Sequence, residues 1–358
     1  MRSNTAIGLL ALAGLAAISH AGVGNIIYTT GDMTIKYYNN GVISTLYTIP
    51  ASPSEGLGGI DRGPSGEYYV TAGQFPVDLA DNKSAIYRVD NLFGVASHTT
   101  VSQGFPLANP TTLKYNFNNN KLVTVNNPQS QYNPANPVRG LLSVDATSGF
   151  AVTAYNQNNL NPPPQPFTSN DIVNSPYAAN QYFVACLNGG DSDFSFPDSS
   201  ASTLWKFDYN TTTEVATPTL LVNFADLAAT GLSAKLNLVR TVDVKPSTNE
   251  VFFVDANTGV YKAQLDANGD WIPGTVQLLV AQGVQFPRLG GAKWNPFTDK
   301  LVFTDEATQG FYQINTDGSG LETLAGPGEN VFGVYFIPSP GSAALFGLAG
   351  LALARRRR

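Results

Sequence analysis

Two aspartates stand at matching places in what read as repeated segments, Val251-Phe252-Phe253-Val254-Asp255 and Leu301-Val302-Phe303-Thr304-Asp305. A carboxylate just after an apolar strand can ligate a divalent metal at the rim of a cavity, or it can accept backbone N–H bonds and cap the turn that follows. Recurrence at one repeat position favours the cap. Asp266-Ala267-Asn268-Gly269-Asp270 imitates the start of a calcium loop, but Trp271 stands where an EF-hand needs glycine and the closing glutamate is missing. A hairpin turn between Leu265 and Trp271 is expected there. Asp191-Ser192-Asp193, in a Gly/Ser-rich loop, offers a weak calcium site, so calcium is the one cofactor left open. Cys186 is the only cysteine and lies in an apolar stretch that reads as a buried strand. It can form no intrachain disulfide. Its potential base, His98, is far away in sequence and in a turn-like context. No catalytic constellation emerges, and a non-catalytic role is expected.

Aromatic residues set among Asn, Gln and Pro suggest another chemistry. Phe75, Tyr132, Tyr155, Phe167, Tyr177, Phe194 and Phe196 fall in loop-like sequence. Aromatic faces beside amides suit sugar rings and polymer surfaces; the same residues can equally pin long loops onto a scaffold. Pro162-Pro163-Pro164 reads as a stiff extended loop.

Composition narrows the partners. Residues 22–337 hold 15 Lys and Arg against 26 Asp and Glu. So acidic a body argues against nucleic acid and against anionic membrane surfaces. Few charges with many Asn, Thr, Gly and Tyr suit an exported β-protein.

The scaffold is a series of short β-branched and aromatic runs separated by Gly, Asn, Asp and Pro turns. One stretch, Phe224 to Leu238, is Ala/Leu-rich and is expected to form a short helix. Units of strand, turn, strand, loop, strand, turn, strand begin near residues 60, 113, 172, 242 and 292, a spacing that fits four-stranded propeller blades. A blade has two apolar faces and covers them only by stacking between neighbours. Val331 to Ile337 reads as an inner strand with nothing after it, whereas Asn25 to Thr29, Met33 to Tyr38 and Val42 to Ile49 lack an inner partner. Joined, they make a sixth blade, closing an all-β six-bladed β-propeller. The alternative is seven blades, with Pro162 to Asn237 supplying two.

These repeats resemble the YWTD and NHL groups of propellers: Lys300 to Asp305 is similar to the Lys-Leu-Tyr-Trp-Thr-Asp pattern, and Ile60 to Val70 to the NHL pattern. Glu55-Gly56 resembles the start of gluconolactonase-like propellers, whose channel holds a divalent metal. That resemblance implies a metal site recruiting Glu55 with Asn126, Asp255 and Asp305, and a metal-dependent hydrolase or lactonase as the alternative activity.

The two ends read as addresses. Arg2, the apolar run Ile7 to Ile18 and Ser19-His20-Ala21 form a signal peptide, 1–21, cleaved after Ala21. At the other end, Pro338-Ser339-Pro340 precedes the apolar run Ala343 to Ala354 and then Arg355, Arg356, Arg357 and Arg358. The arginines are expected to stay cytoplasmic, leaving the body outside. Residues 338–358 resemble a PEP-CTERM sorting signal, with Ser339 where that family usually has Glu. The resemblance implies export to the cell envelope or extracellular matrix. It also implies a transmembrane helix before processing by an exosortase-like protease. Polysaccharide or a surface protein is the expected partner.

Overall fold

A computed structural model describes residues 25–50, 56–73, 81–127, 139–156, 169–187 and 201–338. Both terminal addresses, apart from Pro338, lie outside these residues. So do Glu55, Asp191 to Asp193, Pro162 to Pro164, and the loop aromatics Phe75, Tyr132, Phe167, Phe194 and Phe196. Among the described residues no helix is long and apolar enough to cross a membrane.

The strands follow the expected repeat. In chain order they are β1 (Asn25–Thr30), β2 (Thr34–Asn39) and β3 (Val42–Thr48); β4 (Gly56–Arg62), β5 (Tyr68–Gly73), β6 (Ala85–Asp90) and β7 (Ser97–Gln103); then β8 (Pro110–Asn116), β9 (Lys121–Asn126), β10 (Gly140–Asp145) and β11 (Ala151–Asn156). The second half holds β12 (Ser169–Asn174), β13 (Gln181–Cys186), β14 (Thr203–Tyr209) and β15 (Ala216–Asn223); β16 (Val239–Lys245), β17 (Glu250–Asp255), β18 (Gly259–Gln264) and β19 (Gln277–Ala281); β20 (Leu289–Asn295), β21 (Lys300–Asp305), β22 (Gly310–Asn315) and β23 (Glu322–Ala325); and finally β24 (Val331–Ile337).

They form six antiparallel four-stranded sheets. Five are consecutive in sequence. The sixth has the order β24-β1-β2-β3, so the last strand supplies the inner edge of the first blade. Its register runs from Asn25 opposite Ile337 to Thr30 opposite Val331. The blade count is therefore six. The seven-bladed alternative fails because the segment between β11 and β16 contributes one sheet, β12 to β15.

Local sequence explains the hairpins. The residue just before the second strand adopts a left-handed backbone in four blades, Asn120, Asn180, Asn249 and Asp299, and in a fifth Gly66 does so one residue earlier. Glycine tolerates that conformation, and Asn and Asp accept it more readily than other side chains. The expected helix shrinks to one turn, α1 (Leu227–Thr230), capped by the Asp226 carboxylate and ended by Gly231 at φ 75°. The chain must then extend to reach β16.

Burial confirms why the blades stack. There are six principal apolar clusters, one at each blade interface. Neighbouring residues of one strand serve opposite interfaces: Phe253 packs with Phe183 and Leu204, while Phe252 packs with Leu301 and Phe303. At the closing seam Phe311 meets Tyr28 and Tyr38. Cys186 is fully buried in β13. His98 lies in strand β7 rather than in a turn, and its Nδ1 is 2.8 Å from the Tyr47 hydroxyl.

Candidate functional site

A cavity of about 470 Å³ lies on the ring axis, walled by all six inner strands β4, β8, β12, β16, β20 and β24. Its wall comes mainly from the first half of each strand, so it occupies one end of the channel. Glycines, threonines and asparagines dominate it, with the peptide backbone exposed between them. Glycine is required where strands crowd together. A Cβ on Gly58 would sit 2.5 Å from the Thr111 carbonyl, and one on Gly333 would run into the Gly58 carbonyl.

Side chains stitch neighbouring inner strands around this wall. Thr111 Oγ1 donates to the Asn170 carbonyl at 2.7 Å, and Asn170 Nδ2 donates to the Arg240 carbonyl at 2.8 Å. The Ala292 N–H donates to Thr241 Oγ1 at 3.0 Å, and Thr29 Oγ1, on β1, accepts from the Gly333 N–H at 2.8 Å and donates to the Gly58 carbonyl of the next blade at 2.5 Å. Carboxylates on the inner strands do the same: Asp61 accepts from the Tyr115 N–H, Asp171 from the Val242 N–H and Asp243 from the Trp294 N–H. Burial raises the Asp243 carboxyl above the usual range, against the pull of Lys293.

Charge on the cavity wall is largely neutralised. Lys293 Nζ is 2.5 Å from Asp171 Oδ2. Glu306 accepts from Arg240 Nη1 and pairs with Arg288 Nε at 3.3 Å. Lys114 sits 3.8 Å from Asp61, beyond hydrogen-bonding reach. The outlier is Phe332, an aromatic on the wall with 56% of its surface exposed.

The sequence candidates Asp255 and Asp305 are found at the ends of β17 and β21, each almost fully buried. Asp255 accepts the Leu238 N–H at 2.8 Å through Oδ2, and the Asn257 N–H and Thr258 hydroxyl through Oδ1. Asp305 accepts the Arg288 N–H at 2.8 Å and the Thr308 N–H at 2.7 Å. Asn126, at the same place in β9, accepts the Ala108 N–H at 2.7 Å. All three therefore latch the linker that leads into their own blade's inner strand. They occupy equivalent places in three different blades and do not line the cavity. Among the described residues no group of three or more His, Cys, Asp and Glu side chains could hold a metal ion.

Asp266 caps its own turn, with Leu265 bridged to Trp271. Tyr155 is buried against Phe207, and Tyr177 donates to Asn249, so these two aromatics pin structure. The cavity residues Lys114, Asn170, Arg240, Lys293, Glu306 and Phe332 carry no sequence motif. The available signal is the paired glycines at Gly58-Gly59 and Gly290-Gly291, which mark the start of inner strands.

No family model matches the sequence, and no curated protein does. Solved structures share the fold. A chain in the crystal structure of a nidogen/laminin complex is 13% identical with TM-score 0.58, the match covering 87% of this chain and 97% of that one. The calcium-binding protein regucalcin from Agrobacterium tumefaciens is 12% identical at TM-score 0.53, over 77% and 76%. A putative 6-phosphogluconolactonase from Bacteroides uniformis is 14% identical at TM-score 0.50, over 85% and 83%.

Proposed function

We propose that this six-bladed propeller is a non-catalytic binding protein of the cell envelope or extracellular matrix, with polysaccharide or another surface protein as its partner. The observation that carries the reading is the cavity wall. Among the described residues it is dominated by Gly, Thr, Asn and backbone, and its two carboxylates, Asp171 and Glu306, are each engaged by a cation. The metal-dependent alternative calls for carboxylates free to ligate the metal. Address comes from the two ends: a signal peptide cut after Ala21, and the PEP-CTERM-like segment from Pro338 through Ser339 and Pro340 to Arg355–Arg358, processed by an exosortase-like protease.

Thermal melting of the purified protein against Ca²⁺, Mg²⁺, Mn²⁺, EDTA and bacterial polysaccharides tests the binding reading, because a ligand of the folded state raises the melting point. A glycan shift independent of EDTA supports it. A metal shift abolished by EDTA transfers support to the metal-dependent lactonase reading, and to Glu55 first. Replacing Arg355–Arg358 with serine tests the address. The expected result is a changed fate of the tail, read by fractionation and intact mass; an unchanged distribution overturns it.

A further inference from the structure

We infer that the mouth of the channel takes the terminal or branch sugar of a neutral polysaccharide, its pyranose ring lying flat on Phe332. This rests on the binding reading above and gives it a site. An aromatic 56% exposed on the wall of a half-open cavity leaves apolar surface in water that a flat apolar partner would cover. The other strongly exposed phenylalanines, Phe93, Phe117 and Phe150, do not line it. The sugar C–H face is such a partner, and its edge needs hydrogen-bonding groups.

Those groups are present. Asn330 and Phe332 both border Gly31: a Cβ there would meet the Asn330 amide nitrogen and lie 3.1 Å from Phe332 Cε2. The amide is thus at the rim of the ring platform. The Asn330 side chain makes no hydrogen bond to the described residues, and the Lys114 ammonium, drawn toward Asp243 and 3.8 Å from Asp61, donates no hydrogen bond to them. A neutral sugar is favoured because Asp171 and Glu306 already occupy Lys293, Arg240 and Arg288, and because the acidic body repels polyanions. Six inner strands surround the space, so a chain enters along the axis by an end or a branch. At about 470 Å³ the cavity falls within the size range of small-ligand sites.

Calorimetric titration of the full-length protein with cello-, malto-, xylo- and chitotetraose, and with tetragalacturonate as the anionic probe, tests this. At least one neutral probe is expected to bind. Phe332→Ala should then weaken it roughly tenfold or more, with Phe332→Tyr staying close to wild type and Phe117→Ala unchanged. Saturation transfer should be strongest to a terminal ring. Circular dichroism checks that the Phe332 variants remain folded. Neutral binding indifferent to Phe332→Ala overturns this site and leaves the binding reading standing. Preference for tetragalacturonate overturns the neutral assignment. Binding of no probe overturns this inference and the polysaccharide arm of the reading together, leaving the surface-protein arm.

Discussion

Asp255 shows what a buried carboxylate is for in this protein. One oxygen holds the linker before the inner strand and the other holds the turn after the second strand. Asp255→Ala strands the Leu238 N–H and should cost about 3 kcal/mol, against roughly 1 kcal/mol for Asp255→Asn, which keeps an acceptor. Asp305→Ala should behave alike, and chemical denaturation measures both. Asp145 makes a pH-dependent version of the same bond. Backbone N–H groups of Ser148 and Thr147, with Lys121 nearby, hold its carboxyl down at about 2. A depressed acid stabilises the fold above its ordinary value of about 4 and loses that contribution as pH falls toward the folded value. The stability gap between wild type and Asp145→Asn should therefore narrow between pH 5 and 2; a constant gap would contradict it.

The inner strand is the element on which ring closure depends. Six such strands approach closely only where side chains are missing, as at Gly58 and Gly333. Gly333→Ala forces β24 away from Gly58 and should cost about 1 to 3 kcal/mol, seen as a lowered melting temperature without loss of strand content. At this scale much was legible beforehand. Apolar runs closed by Asn-rich turns gave the second strands, because the left-handed position before each one restricts which residues serve. The unpaired Val331 to Ile337 run announced the closing strand. The α1 helix was overestimated, since Ala/Leu content does not register that Gly231 ends it. His98 was misplaced for a related reason: β7 is an outer strand, half exposed and polar, and lacks the apolar alternation that marks a strand.

At the scale of the molecule the cavity was not legible, because it belongs to no segment. Lys114, Arg240, Glu306 and Phe332 come from four blades and meet only when the circle closes. Aspartates that recur in sequence were, by contrast, easy to see. They proved to be parts of the repeat itself, serving each blade separately. Closure should also govern cooperativity. Removing residues 331–337 takes the inner strand from blade one, exposes the edge of β1 and opens both apolar faces beside it. Such a chain should lose its sharp thermal transition and self-associate, as scanning calorimetry and gel filtration would report; a monomer with an unchanged transition would contradict this account.

The closing strand also has a mechanical consequence. β24 begins at the cavity wall with Val331 to Val334 and ends at the exposed Pro338. Its seven residues span about 20 Å along the channel. Pro338 therefore lies toward the end opposite the mouth. A molecule gripped at its mouth and pulled from beyond Pro338 is loaded lengthwise along β24. The β1–β24 hydrogen bonds, running between the pairs Asn25–Ile337 and Thr30–Val331, then share tension in shear instead of unzipping one after another. Were the ring held through its C-terminal segment, as proposed, the strand that completes the circle would carry the load.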